Sequence, residues 1–284
     1  MIDLSVRRRL YAEEIQATSN LRTSAVVEAL AAVPRERFLP PGPWTIRGEA
    51  DFQQPPRTTP DADPRHVYHN LAIAIDPGRQ LFNGAPGLLA MAIDVLALEA
   101  GQRVLHVGCG TGYYTAVMAR CVGASGHVVA IDADEALAAR AKANLVSMPW
   151  VAVRHGDASG PFDETFDAIL INAGMTHPLP VWLDALEAGG RMVIPLTVLT
   201  APPIGKGPMF LFTRTADPAR LDARTVSFVA IYSAIGVRDD ALNAKLGDAL
   251  RTNPFPAVRH LRRDPHDPGA SCWFHGFTSC LSLE

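Results

Sequence analysis

The sequence predicts an α/β fold in which a mostly parallel sheet carries helices on both faces, with a helical cap before it and an extension after it. Three observations lead there. The stretch Arg103-Val104-Leu105-His106-Val107-Gly108-Cys109-Gly110-Thr111-Gly112-Tyr113-Tyr114-Thr115-Ala116 passes from an apolar run through three alternate glycines into a helical start, which reads as buried strand, tight turn and helix. Four more strand-like runs follow at 127–132, 151–155, 166–171 and 189–195, with room for crossover helices between most of them. Hydrophobic residues make up 48 % of the 284 and charged ones 19 %, enough for a sizeable core and too apolar for wholesale disorder.

The cap spans residues 1–75. Residues 15–20 and Ser24-Ala25-Val26-Val27-Glu28-Ala29-Leu30-Ala31-Ala32 have helical spacing, with Ser24 as N-cap and Pro34 as stop. Pro40-Pro41-Gly42-Pro43 and Gln54-Pro55-Pro56-Arg57-Thr58-Thr59-Pro60 oppose regular structure, since proline removes a donor and restricts its predecessor. Long irregular connections in compact proteins are often lids, which makes Trp44 and Tyr68 candidate substrate walls. Residues 68–76 alternate, with apolar residues at 71, 73 and 75, as a short strand does. A loop at 78–87 and a helix at 88–96 then lead into the glycine strand.

The central domain, 76–236, carries the ligand-binding features. Missing side chains at Gly108, Gly110 and Gly112 let a ligand lie on bare backbone, and free N–H groups of the new helix face it, with Cys109 adding a backbone N–H. A dinucleotide fingerprint spaces its glycines to seat a pyrophosphate. Here the third glycine comes one residue early, which favours a nucleotide-like ligand without phosphates and disfavours a nicotinamide-dependent oxidoreductase. Asp132 ends the next strand 20 residues beyond Gly112, where a carboxylate can accept both hydroxyls of a ribose. Gly156-Asp157-Ala158 follows the third strand, and Asp157 is placed either for an adenine amino group or for a turn. Asn172 ends the fourth strand.

Together these stretches resemble the class I S-adenosylmethionine-dependent methyltransferases and, within them, the protein-L-isoaspartate O-methyltransferase family. The resemblance rests on Val33-Pro34-Arg35-Glu36-Arg37-Phe38-Leu39-Pro40, on residues 105–115, and on Phe166-Asp167-Ala168-Ile169 through Gly190-Arg191-Met192-Val193-Ile194-Pro195, covering roughly residues 10 to 236. It implies a Rossmann-like sheet of seven strands. The sixth is expected at 209–214 after a loop at 202–208, and the seventh at 224–232, antiparallel to its neighbours. It also implies S-adenosylmethionine as cofactor, held by His106, Gly108, Cys109, Gly110, Gly112, Asp132, Ala133, Gly156, Asp157, Ala158 and Asn172, and methyl transfer to a carboxylate or other oxygen of a protein or peptide.

Two departures from the family stand out. Its loop reads like Gly-Gln-Thr-Ile-Ser-Gln-Pro, with the hydroxyl residue beside cofactor and substrate, whereas here Leu81, Phe82, Asn83, Gly84 and Ala85 precede Pro86. The hydroxyl is gone. A carboxylate is already a nucleophile at neutral pH, and alignment supplies most of the rate, worth ~7–11 kcal/mol. The loss therefore removes a positioning donor and not a base. It opens two competing readings: O- or N-methylation of a small molecule or modified peptide of a specialised pathway, and a non-catalytic S-adenosylmethionine-binding module. Asn83 either positions an acceptor or makes the turn before Gly84. The second departure is His106, where the class has an acid that helps hold the methionine amino group. This histidine either contacts that tail or is satisfied inside the sheet. Tyr68, Phe82, Asn83 and His177 are the substrate-pocket candidates. His177 is either a general base near pH 7 or an exposed loop residue, and no catalytic residue is assigned.

A net charge of −3 and a pI near 6.3 argue against a nucleic-acid surface. No run reaches the ~18 apolar residues of a membrane span, and the N-terminus lacks the apolar core of a secretion signal. Cys109, Cys121, Cys272 and Cys280 show no Cys-x-x-Cys and no companion histidine spacing, so the reading is reduced thiols in a cytoplasmic protein, with no metal. The C-terminal extension, 237–284, has helical spacing at 240–250. Its strand-forming stretch at 272–283 is expected to dock as a hairpin or edge strand, because free aromatics would expose an apolar patch.

Overall fold

The computed structural model describes residues 3–48 and 54–284. The chain divides into two compact units, one of Met1–Gly101 with Cys109–His155, the other of Gln102–Gly108 with Gly156–Glu284. The chain crosses from one to the other inside the glycine turn.

The first unit opens with α1 (Leu4–Ser19), capped by Asp3, whose carboxylate accepts the Ser5 N–H at 2.9 Å, and closed by Asn20 in the left-handed region. Helix α2 (Ser24–Ala32) buries Val26, Val27, Ala29 and Leu30. Its N-cap is Thr23 and not Ser24. The Thr23 hydroxyl is turned away from the helix to donate at 2.6 Å to Asp94, the last residue of the later helix Pro86–Asp94, so α2 is joined to that helix by a side chain that local sequence would assign to capping.

A 3-10 turn, Arg35–Phe38, follows. Arg35 is fully buried and donates to the carbonyls of Val67 at 2.8 Å, His69 at 3.1 Å and Leu71 at 2.7 Å. The Val-Pro-Arg-Glu-Arg-Phe motif is therefore a backbone clamp. It collects three backbone carbonyls around one buried guanidinium, and a buried acceptor left unpaired costs about 1–3 kcal/mol. Strands β1 (Thr45–Gly48), β2 (Arg57–Thr58), β3 (Leu71–Asp76) and β4 (Leu81–Phe82) form an antiparallel sheet in the order β2-β1-β3-β4. Two expected loops thus contain short strands. Arg57 and Thr58 lie between prolines yet reach β1, and Leu81 and Phe82 fold back on β3 through a turn at 77–80. Helix α3 (Pro86–Asp94) starts on proline, whose missing N–H costs nothing there.

Strand β5 (Arg103–Val107) belongs to the second unit. The chain then returns to the first with α4 (Tyr113–Val122), β6 (His127–Asp132), α5 (Glu135–Asn144) and β7 (Val151–His155). Strands β6 and β7 pair in parallel, Asp132 opposite His155.

The second unit continues with β8 (Phe166–Ile171), α6 (Pro180–Asp184), β9 (Leu186–Pro195), β10 (Val198–Ala201), β11 (Ile204–Arg214), β12 (Arg220–Tyr232), α7 (Asp240–Thr252), β13 (His260–Arg262), β14 (Cys272–His275) and β15 (Cys280–Ser282). Its strands follow the order β14-β15-β13-β12-β11-β9-β8-β5, with β10 on β11. Neighbours among β5, β8 and β9 are parallel; β12 is antiparallel to its neighbours β11 and β13 as expected, and β11 is also antiparallel to β9. Among the described residues the sheet exceeds seven strands and is mostly antiparallel in this unit, because β10 is also antiparallel to β11 and the C-terminal extension adds three more antiparallel pairings through β13, β14 and β15 at its edge. Docking buries Trp273, Phe274 and Leu281, each worth ~1.5–3 kcal/mol for a large apolar side chain. The expected loop at 202–208 is mostly strand, since β11 already begins at Ile204. Gly207 permits this: a Cβ there would lie 2.0 Å from the Leu196 carbonyl oxygen. Among the described residues no helix is long and apolar enough to cross a membrane.

Candidate functional site

In the second unit the glycine turn begins at Gly108, whose φ of 79° is left-handed. The Asn172 N–H donates to the Val107 carbonyl at 2.8 Å, and Asn172 Nδ2 donates to the Gly108 carbonyl at 3.2 Å. Asn172 thus ties β8 to the turn with one of its two side-chain amide N–H groups. His106, one strand position earlier, has no exposed surface. Direct contact with a ligand tail is not available to it in this arrangement. Burial lowers its pKa from 6.5 to about 3, leaving a neutral imidazole.

That shift has a testable sign. The folded pKa is depressed, so below about 6.5 the unfolded chain takes up a proton that folded His106 refuses. Its effect on stability is absent above that value and grows as pH falls toward about 3, by up to about 1.4 kcal/mol per pH unit. His106→Gln is expected to flatten the acid limb of a plot of Tm against pH. An unchanged limb would show that His106 protonates without unfolding.

In the first unit the turn continues through Gly110 and Gly112, also left-handed, and Gly112 is the N-cap of α4. A Cβ at Gly112 would stand 2.8 Å from Leu145 Cδ1. The Cys109 N–H, expected to face a ligand, donates instead to the Ile131 carbonyl at 3.2 Å. Thr111 Oγ1 donates to the Phe38 carbonyl at 2.7 Å, joining the turn to the arginine clamp. Asp132 ends β6 beside it. Its Oδ2 accepts the Gly110 N–H at 2.7 Å and its Oδ1 the Asp134 N–H at 2.9 Å. Only 9 % of Asp132 is exposed, and burial raises its pKa against the opposing pull of those two donors. A carboxylate has about four acceptor positions, so each oxygen retains capacity for one further donor. Ala133 offers its carbonyl to the His155 ring at 3.2 Å.

The loop preceding α3 is anchored to the same place. Arg79 pairs with Asp76 at 2.7 Å and also with Asp134, the N-cap of α5 two residues past Asp132. At the loop's far end the Tyr114 hydroxyl donates to the Gly84 carbonyl at 3.3 Å. Asn83 Oδ1 accepts the Ile73 N–H at 3.0 Å and an Arg35 N–H at 3.3 Å. Its carbonyl is therefore committed to holding the hairpin. Phe82 lies under the Arg47 guanidinium, 5.1 Å from its ring centroid.

Tyr68 is corrected as a substrate wall. It is fully buried, edge-on to Tyr11, with its hydroxyl on Glu36. Trp44 is buried too, its indole N–H on the Pro40 carbonyl at 2.8 Å.

In the second unit Asp157 is exposed, and its Oδ1 accepts the Ser159 N–H at 3.0 Å and hydroxyl at 2.7 Å. Those bonds hold its carboxyl below the ordinary value. Ala158 after it is left-handed and accepts the Trp182 indole N–H at 2.8 Å. His177 is half-buried and not exposed. It meets the Thr176 hydroxyl at 2.9 Å, and burial lowers its pKa, so the neutral form prevails near pH 7.

Sequence reasoning missed Arg35, Arg79 and Asp134, although an Asp-x-Asp ending a strand was visible. It also read the cysteines as unaccompanied, whereas Cys272 and Cys280 are gathered with His266 and His275.

Strand, glycine turn, helix and buried acid define a class I methyltransferase. The family model described as protein-L-isoaspartate(D-aspartate) O-methyltransferase matches residues 56–233. A protein-L-isoaspartate O-methyltransferase of Methylorubrum extorquens (strain PA1) is 35 % identical over 226 residues, covering 77 % of this chain and 85 % of that protein. Protein-L-isoaspartate O-methyltransferase 1 of Archaeoglobus fulgidus is 30 % identical over 244 residues, covering 84 % and 98 %. This chain belongs to the protein-L-isoaspartate O-methyltransferase family. Among solved structures, one of a protein-L-isoaspartate O-methyltransferase superposes with a TM-score of 0.64 at 23 % identity, over 86 % of this chain and 69 % of that one. A putative Plasmodium falciparum member, crystallised with S-adenosyl-L-homocysteine, gives 0.60 at 16 % identity over 80 % and 97 %. These two show the fold.

Proposed function

We propose that the chain is an S-adenosylmethionine-dependent O-methyltransferase whose acceptor is the free carboxylate of an isoaspartyl residue in a protein or peptide. The observation that carries this is the family match over residues 56–233, which contains the glycine turn, Asp132 and the anchored loop. The residues present fit the cofactor. A side chain at Gly108 would strike the Asn172 carbonyl and one at Gly112 would strike Leu145, so both positions keep bare backbone, and Asp132 is a buried acid with acceptor capacity left. Asp132 would take the ribose hydroxyls, and the backbone at Gly110 and Gly112 would line the ligand.

When bound, S-adenosylmethionine supplies a methyl group on a sulfonium, which the carboxylate oxygen attacks in line to give a methyl ester and the thioether. The chain's part is alignment. In isoaspartate the main chain runs through the side-chain carboxyl, so the α-carboxylate is the one left free and already ionised. No base is needed, so the missing loop hydroxyl removes a positioning donor and leaves the carboxylate's attack possible. Arg79 and Tyr114 hold that loop at its two ends, one of them beside the ribose acid.

The test is methyl transfer from radiolabelled S-adenosylmethionine to an isoaspartyl peptide and to its aspartyl twin. Label is expected in the first alone. Equal labelling of both, or of neither, overturns the acceptor assignment.

A further inference from the structure

The C-terminal extension gathers four metal-ligand side chains away from the glycine turn in sequence. One ligand atom from each of His266, Cys272, His275 and Cys280 lies within 4.8 Å of the others. We propose that these residues form a structural zinc site that fastens the β14–β15 hairpin and the loop before it.

The backbone explains why the four converge. Cys272 pairs with Ser282 and His275 with Cys280. Paired residues share a face, as do residues two apart such as 280 and 282. Cys272 and His275 are three apart and would alternate to opposite faces of a regular strand. The register shift between Cys272 and Phe274 inserts one extra residue and brings them back to the same face. Cys272, His275 and Cys280 therefore project together. His266 comes from the preceding loop and packs edge-on to His275, ring centroids 4.8 Å apart.

The donors are also prepared chemically. His266 Nδ1 faces the Asp264 carbonyl at 2.8 Å, and a carbonyl only accepts, so the proton sits on Nδ1. The lone pair then falls on Nε2, which faces Cys272 Sγ at 3.5 Å. A backbone carbonyl orienting a ligating histidine is the usual second layer of a zinc site. Among the described residues, His275 Nδ1 is buried without a hydrogen-bond partner, and a metal bond would supply one. Two thiolates and two imidazoles in a tetrahedron are the donor set that selects zinc, with Zn–S of about 2.3 Å and Zn–N of about 2.0–2.1 Å. Those bond lengths put ligand atoms roughly 3.3–3.8 Å apart, a small contraction of the cluster seen here. A cleft of about 570 Å³ bordered by His266, His275 and Cys280 gives an ion access. On binding, each thiol loses its proton to solvent and forms a sulfur–zinc bond, with no change of oxidation state.

The experiment uses the full chain without an affinity tag, purified under reducing conditions and dialysed against metal-free buffer. Elemental analysis is expected to find about one zinc per chain. Stripping with a strong chelator should lower Tm, and added zinc should restore it. Cobalt in its place should show the intense visible bands of a tetrahedral site with a thiolate-to-metal band in the near ultraviolet. Cys272→Ser and Cys280→Ser should each weaken zinc binding by at least the ~10–100-fold that loss of a group supporting a ligand costs. Should either fail to fold, His275→Gln supplies the same comparison. Substoichiometric zinc with no effect of added zinc on Tm, equal zinc in wild type and variants, or a Cys272–Cys280 disulfide that persists under the reducing conditions would each overturn the site.

Discussion

Asp132→Asn is expected to weaken S-adenosylmethionine and S-adenosylhomocysteine binding by on the order of a hundredfold to ten-thousandfold, with methyl transfer falling in step. The magnitude comes from two hydroxyl bonds to a charged acceptor at about 1.5–3 kcal/mol each. Position strengthens the case: this carboxylate is 9 % exposed and has one backbone N–H on each oxygen. Burial already raises its pKa, so two ribose donors would relieve an under-compensated charge. Asparagine keeps the size and one acceptor, but its amide N–H group must face either the Gly110 or the Asp134 N–H, donor against donor. The same physics makes affinity fall on acidification, as Asp132 takes up a proton and loses acceptor capacity. Titration calorimetry on a variant shown to be folded decides the matter. Undiminished affinity there removes Asp132 from the cofactor site.

The second large effect belongs to Gly108→Ala, which is expected to lower Tm by roughly 5–15 °C at ~2–4 °C per kcal/mol. The left-handed backbone, φ 79°, costs a residue with a Cβ about 1–2 kcal/mol. The new methyl would also sit 2.9 Å from the Asn172 carbonyl oxygen, and forcing it in adds about 1–3 kcal/mol. Gly189→Ala separates these contributions. Its φ of 77° is equally left-handed, but nothing lies within 4 Å of a Cβ there. Gly108→Ala should therefore lose clearly more stability than Gly189→Ala. Equal losses in thermal melts would mean that β8 yields and that the close approach of the turn to Asn172 is dispensable.

Much of the fold is local and was legible. The alternation at 71, 73 and 75 became β3, the apolar strand-like runs became β5, β6, β7 and β8, and helical spacing at 240–250 became α7. The glycine turn was readable because strand, turn and helix are contiguous in the chain, and the acid at 132 because it ends a strand. Motif spacing also placed the chain in its family.

Residues whose partners lie far along the chain were not legible. Tyr68 looks like a free aromatic before a strand, yet Glu36 and Tyr11 enclose it. Asn172 looks ligand-facing, yet its amide closes the turn at Gly108. Thr111 and Arg35 bond to backbone carbonyls up to 73 positions away. The zinc ligands make the contrast sharpest. Their spacing of 266, 272, 275 and 280 matches no linear metal motif, because one pair is aligned by a bulge and another by cross-strand register. Sequence by itself determined the longer strands and helices and the glycine turn, since those depend on neighbours in the chain, whereas β2, β4 and the start of β11 needed partner strands that folding supplies. Only the tertiary structure decided which polar groups still have capacity for a ligand, because a donor or acceptor is spent wherever folding brings it a partner.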